Sequence, residues 1–258
     1  MSEQFDNAMN LAKDAFRANN EEECKSFCNQ ALTVDPKSAD AKALKGAAVL
    51  ISFSLAGAEA DAVEALEIWK SITGEVSMEY QILVIASADE FIHRWYDAAK
   101  EHHAKFKDVE SADKEWAHVQ KCYGIFRRAV ASLDAIEDGL TNFVVTAFNN
   151  HTPSQAHWCT ETLAGKANNE NAKKLFEIAD KGLHAYNNKE KGCPSYSDLS
   201  FAKPLINRFI NGSDDLALKA KEMKSIFDVA KKAHTKKVLI TVGIIAAVVI
   251  VLFIIGSR

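Results

Sequence analysis

The chain has 258 residues, with 31 Lys plus Arg against 35 Asp plus Glu and a formal net charge of -4; at about 150 residues per domain, that length fits one globular body and one appendage. Only 11 Gly and 4 Pro are present, roughly half of average usage, and this shortage of turn-formers argues against a β-sandwich, a β-barrel or a Gly-rich phosphate-binding fold. Hydrophobic residues make up 48% and charged residues 26%, which excludes a wholly disordered chain and, one segment apart, a polytopic membrane protein.

Residues 1–75 read as short antiparallel helices. Phe5, Ala8, Leu11, Ala12, Ala15 and Phe16 recur at helical spacing, Asn19 and Asn20 make a turn, and Glu21 to Leu32 resumes the period through Cys24, Phe27, Cys28 and Ala31. Asp35-Pro36 ends that helix. A third helix is expected from Ser38 to about Ser54 and a fourth from Ala58 to Ile72, with Ala62, Ala65, Leu66 and Trp69 on its inner face. The spacing from Leu11 and Ala12 through Cys24 and Ala31 to Pro36 resembles the tetratricopeptide repeat of about 34 residues. Leu11 matches the family's Leu, Ala12 its small Gly position, Cys24 the Ala where the two helices approach, Ala31 a second small contact and Pro36 the closing Pro. Ala8, Ala15 and Cys28 stand where the family has Trp, Tyr and a large aromatic residue. A second unit keeps Gly46 at the small position but has a longer turn and no closing Pro. The resemblance implies a helical array with a concave groove for a protein or peptide. Met9 and Lys13 occupy the places of the Lys and Asn clamp that binds chaperone tails in that family, so that particular ligand is not expected.

Residues 76–151 lengthen the period into a long helical hairpin. One helix is expected from Met78 to about Lys105 through Ile82, Ile85, Ala88, Phe91, Ile92, Trp95 and Ala99, and another from about Ser111 to Asn149, bent at Gly124 and Gly139. Residues 152–212 return to a hairpin, from Pro153 to about Asn187, with Thr152-Pro153 as N-cap and first helical residue. Its turn repeats the first: Ala18-Asn19-Asn20-Glu21 recurs as Ala167-Asn168-Asn169-Glu170. A loop from Asn187 to Tyr196 and a short helix from Ser197 to Asn211 follow.

Residues 213–237 form a basic stem helix capped by Ser213. Its Leu216, Ala220, Met223, Phe227, Ala230 and His234 make a seam that either docks on the body or pairs weakly with a second copy of the chain. Residues 238–256 read VLITVGIIAAVVIVLFIIG, uncharged and long enough for a transmembrane helix. Lys231, Lys232, Lys236 and Lys237 precede it, so the N-terminal body is expected on the cytoplasmic side with the C-terminus across the membrane. The start MSEQFDNAMN is acidic and polar, and no secretory signal is expected there. The body outside the stem carries an excess of acids, which argues against nucleic acid as a partner.

Little in the sequence points to chemistry. Glu90 with His93 and Glu115 with His118 have the Glu-x-x-His spacing of di-iron bundles, but two such pairs are near chance, and Glu90 and His93 fall opposite the apolar face of their helix. His102-His103 with His118 and Cys122 is a weaker zinc arrangement. His157-Trp158-Cys159 is no nucleophile signature, since sequence neighbours on a helix point apart. Cys24, Cys28, Cys122, Cys159 and Cys193 are an odd number without shared spacing and read as thiols. Phosphate-loop, dinucleotide and hydrolase motifs are absent. The reading is therefore an all-α, irregular tetratricopeptide-like antiparallel helical array with a single C-terminal transmembrane helix. It is a tail-anchored adaptor that binds a protein or peptide partner, with no catalytic, cofactor-binding or metal residues and no cofactor. An oligomerising membrane-remodelling or fission-type protein is the alternative, and a metal-dependent enzyme a third.

Overall fold

The computed structural model describes residues 2–256, with side-chain surroundings through residue 242. Among the described residues it holds eleven α-helices and no strand: α1 Glu3–Arg17, α2 Glu21–Val34, α3 Ala39–Val49, α4 Ala58–Lys70, α5 Met78–Lys105, α6 Glu110–Ala131, α7 Glu137–Asn149, α8 His157–Lys166, α9 Asn169–Asn187, α10 Ala202–Phe209 and α11 Asp215–Gly256. The chain divides into two units, Met1–Val144 with Trp158–Ala167, and Val145–His157 with Asn168–Arg258.

In the first unit α1, α2 and α3 each start on a polar side chain that takes up an otherwise unpaired backbone donor. Ser2 Oγ accepts from Phe5 N at 3.3 Å, Asn20 Oδ1 from Glu23 N at 3.2 Å and Ser38 Oγ from Ala41 N at 3.2 Å. α1 packs on α2, α2 on α3, α3 on α4 and α5 on α6, and alternate helices meet too, so that α1, α3 and α5 form one row while α4 and α6 lie together in the other. Lys25 of α2 joins that second row, pairing with Glu21 at 3.3 Å and with Glu64 of α4 at 3.2 Å. Close packing is possible because the contacts are small: Ala12, Cys24, Ala31, Ala43 and Ala47 are wholly buried. Trp69 of α4 lies over Gly46 of α3, and its indole N–H donates to the Ala43 carbonyl at 3.1 Å. The middle of α5 carries the aromatic core. Phe91 meets Phe53, Trp95 and Phe126 edge-on at 5.7, 5.7 and 5.6 Å between centroids. Gln81, buried, binds α5 to α7: its amide donates to Val76 O at 2.8 Å and accepts from Gly139 N at 2.6 Å.

Several expected elements differ. Leu11 is 39% exposed while Met9 is buried, because the inward face of α1 is centred on Ala12 and Leu11 lies about 100° round the helix from it. The helix expected from Ser111 to Asn149 breaks at Ser132, not at a glycine. There the Ser132 hydroxyl donates to Arg128 O at 2.7 Å, Leu133 turns extended, and a 3-10 turn at Asp134–Ile136 leads into α7. Thr152 stands at the N-cap position with Pro153 first, but of a 3-10 turn before α8, and it makes no side-chain cap: its hydroxyl donates back to Ala147 O at 3.3 Å.

The second unit is built from the end of α7 and from α9, α10 and α11. Pro204 is tolerated because it is the third residue of α10, where no intrahelical acceptor awaits its missing N–H. Phe148 packs edge-on against Phe201 at 5.4 Å, and Phe176 against Phe209 at 5.2 Å. The cap of α11 is Asp214, not Ser213, with its carboxylate accepting from Ala217 N at 3.1 Å. Of the two fates open to the stem seam, this unit displays docking: Ala220, Met223, Phe227 and Ala230 are buried, α11 packs on α9 and α10, and Lys219 pairs with Asp180 at 2.9 Å. Tyr196 stacks on His234 at 4.7 Å and on Phe227 at 5.6 Å.

The membrane span is corrected. Among the described residues no helix is long and apolar enough to cross a membrane. Of the stretch 238–256, only Val238–Val242 has described side chains, and five residues rise about 7.5 Å against roughly 30 Å of hydrocarbon; residues 243–256 lie outside the described side chains. The transmembrane helix, the tail anchor, the single-pass topology and the cytoplasmic placement drawn from it are overturned by that finding.

Candidate functional site

Two places in the first unit gather polar groups. One is a cleft of about 370 Å³ lined by Phe16, Asn19, Leu50, Ser52, Ser87, Glu90 and Arg94. It sits where α1 and α3 end against the middle of α5. α3 stops at Val49, and its terminal carbonyls would be left without donors. Arg94 of α5 supplies them, donating to Leu50 O at 2.6 Å and Ile51 O at 3.1 Å, a cation at a helix C-terminus. Its guanidinium lies over the Phe53 ring, 5.6 Å from the centroid, and its Nε is buried without a hydrogen-bond partner, 3.7 Å from Glu90 Oε1. Asn19 lines the other side at φ 55°, a left-handed turn residue that Asn adopts more readily than most.

The second place joins α4 to α6. Glu59, in the first turn of α4, sends one carboxylate oxygen to His118 Nε2 at 2.9 Å and accepts from the Cys122 thiol on the other at 3.4 Å. His118 and Cys122 are one turn apart on α6, with Sγ and Nε2 3.5 Å apart. Their ligand atoms all lie within 4.8 Å of one another, and among the described residues no other set of three such groups does. Hydrogen bonds from His118 and then Cys122 hold the Glu59 carboxyl below the usual range, while burial and then the Glu59 carboxylate push the Cys122 thiol up.

The other residues weighed from sequence are placed separately. His118 and Cys122 meet, but not with His102 and His103: His102 approaches Glu115 at 3.8 Å, and His103 bonds Asp113 at 2.7 Å and stacks on Trp116. Neither Glu-x-x-His pair acts as a pair. His93 lies 3.6 Å from Asp89, Glu90 faces Arg94, Glu115 faces His102 and His118 faces Glu59. Met9 is buried and Lys13 pairs with Glu79 at 3.6 Å. Cys24, Cys28 and Cys159 are buried, and burial raises the Cys159 thiol; Trp158 and Cys159 face inward while His157 is exposed. Two members of the cluster carried a sequence signal, the His and Cys one turn apart on one helix. Glu59 carried none, being 59 residues from His118 in the chain. No protein-family model matches the chain, and neither do any of the curated proteins or the solved structures compared with it.

Proposed function

We propose that the chain is a protein-binding scaffold whose cleft, where α1 and α3 end against the middle of α5, receives a peptide segment of a partner protein. The observation that carries this reading is the cleft itself. Alternate helices stand in a row, the ends of α1 and α3 leave about 370 Å³ open to solvent beside the middle of α5, and the opening falls within the usual size range of ligand sites. Its lining suits a peptide. Ser52, Ser87 and Asn19 offer neutral hydrogen-bonding groups, Phe16 and Leu50 offer apolar surface, and Arg94 with Glu90 places one charge of each sign at the wall. Arg94 is held by two backbone carbonyls, so it is preorganised and loses little freedom on binding.

The test is a selection of displayed peptides on the full chain, followed by fluorescence anisotropy with the enriched sequences. Ser52 is exposed in the turn after α3, so Ser52→Trp fills the cleft from outside without touching the core. Enriched peptides are expected to bind the native chain and to lose at least tenfold in affinity on Ser52→Trp. Selection without enrichment, or equal binding to the filled variant, overturns the proposal.

A further inference from the structure

The geometry points to a zinc site made by Glu59 of α4 with His118 and Cys122 of α6, a water completing the fourth position, that clips the two helices together. The donor set selects the metal class. A thiolate and an imidazole beside one carboxylate suit a borderline-soft divalent ion, whereas calcium and magnesium take oxygen ligands. The spacing fits as well. Zinc bonds of about 2.0–2.3 Å in a tetrahedron set ligand atoms roughly 3.3–3.8 Å apart. Cys122 Sγ lies 3.5 Å from His118 Nε2 and 3.4 Å from Glu59 Oε1. The Glu59 carboxylate spans the pair with both oxygens, Oε1 towards Cys122 and Oε2 towards His118 Nε2 at 2.9 Å, and turns to bring one of them into the metal's shell when metal replaces the proton; one ligand atom from each residue already lies within 4.8 Å of the others.

The helices also supply the rigidity the site requires. His118 and Cys122 project from one face of α6 one turn apart, and Glu59 comes from the N-terminal turn of a packed neighbour, so three ligands converge without a loop. The charges balance: one carboxylate and one thiolate neutralise a divalent ion. Binding exchanges the Cys122 thiol proton for metal and releases it to solvent. The side chains of His118 and Glu59 are 59% and 56% exposed, which leaves the fourth position to water. Other acid and histidine pairs, such as His103 with Asp113, bring two groups together but no thiol.

The untagged full chain, reduced and stripped of metal, is titrated with cobalt(II) and then with zinc. A site of this composition gives one cobalt per chain, with the thiolate-to-cobalt charge-transfer band in the near ultraviolet and the visible bands of a four-coordinate ion. One equivalent of zinc bleaches both. Cys122→Ser is expected to abolish the charge-transfer band, and Glu59→Gln or His118→Gln to weaken binding by more than about a hundredfold. Cys193→Ser, with a thiol outside the site, leaves the titration unchanged. All three ligands lie near the surface, and circular dichroism verifies that each variant is folded. Absence of the band in the native chain, its survival in Cys122→Ser, or its loss in Cys193→Ser overturns the site.

Discussion

Gly46→Ala gives opposite signs for two physical effects and so tests the packing between α3 and α4. On helix propensity alone, Ala in a helix interior is about 1 kcal/mol better than Gly. Packing says the reverse. A Cβ at Gly46 would stand 2.7 Å from Trp69 Cδ1 and 2.9 Å from Trp69 Cε2, and nearer still to the indole nitrogen. Trp69 is 1% exposed, packed in the core. Overpacking of this kind costs about 1–3 kcal/mol. Moving the indole also breaks its 3.1 Å bond to Ala43 O and leaves a buried donor unpaired, about 1–3 kcal/mol more. Set against the propensity gain, the net loss is about 3 kcal/mol, which for a unit of this size lowers Tm by roughly 6–12 °C. The measurement is thermal and urea unfolding followed by circular dichroism. The same substitution made in a Trp69→Leu background has no indole to displace, and there most of the penalty is expected to vanish, giving a large coupling in the double-mutant cycle. A Gly46→Ala chain as stable as the native one, or more stable by the propensity increment, would refute the packing argument.

Gln81→Leu strands Gly139 N–H and Val76 C=O in the core; a loss of about 2–4 kcal/mol is expected, and hydrogen exchange should speed at the Gly139 amide. Asp89 has a buried oxygen without a hydrogen-bond partner, and burial raises its carboxyl above the usual range against the pull of His93 and Trp158. Since the folded form holds its proton more tightly than the unfolded chain, stability falls as pH climbs from about 4 through the raised value. Asp89→Asn should therefore stabilise at pH 7, on the order of 1 kcal/mol, with the advantage gone below about pH 4 in parallel urea melts. Gly182→Ala places a Cβ 2.6 Å from Leu199 Cδ2 and 3.2 Å from Pro194 Cγ, so a net loss of about 1–2 kcal/mol is expected after the propensity gain. Gly165→Ala, with nothing within 4 Å, should instead gain up to about 1 kcal/mol; the same sign for both in thermal melts would contradict the packing account.

Local periodicity carried far into the fold where one face is apolar over many turns. The spacing of Ala62, Ala65, Leu66 and Trp69 places the buried side of α4, and the run from Ile85 through Phe91 to Trp95 does so for α5. It failed at helix ends. α6 ends at Ser132 in the midst of an unbroken apolar period, and Asp214 rather than its neighbour Ser213 takes the Ala217 amide in the first turn of α11. Leu11 shows a different limit, since which flank of a stripe is buried depends on the neighbouring helix. The candidate sites were less legible for the same reason. His118 and Cys122 share a helix face and were read together, but Glu59 reaches them only because α4 packs on α6. Arg94 has no motif at all; its place in the cleft follows from where α3 stops.

One short turn connects the two readings and also keeps them separable. Leu50 and Ile51, whose carbonyls hold Arg94, open the turn between α3 and α4; Gly57, bonded to Ser54 Oγ at 3.0 Å, closes it one helical turn before Asp61. Glu59 stands at the second position of α4, so a metal on Glu59 fixes the far end of the segment that walls the cleft. The groups themselves do not overlap: the cleft draws on α1, α3, α5 and this turn, while the metal ligands project from α4 and α6. Ser52→Trp therefore fills the cleft and spares every ligand, and Cys122→Ser removes a ligand and spares the cleft lining. A chain that lost peptide binding with the first change and cobalt binding with the second would hold two independent sites joined by one turn. Any dependence of one on the other would then be a coupling free energy through that turn, equal in both directions.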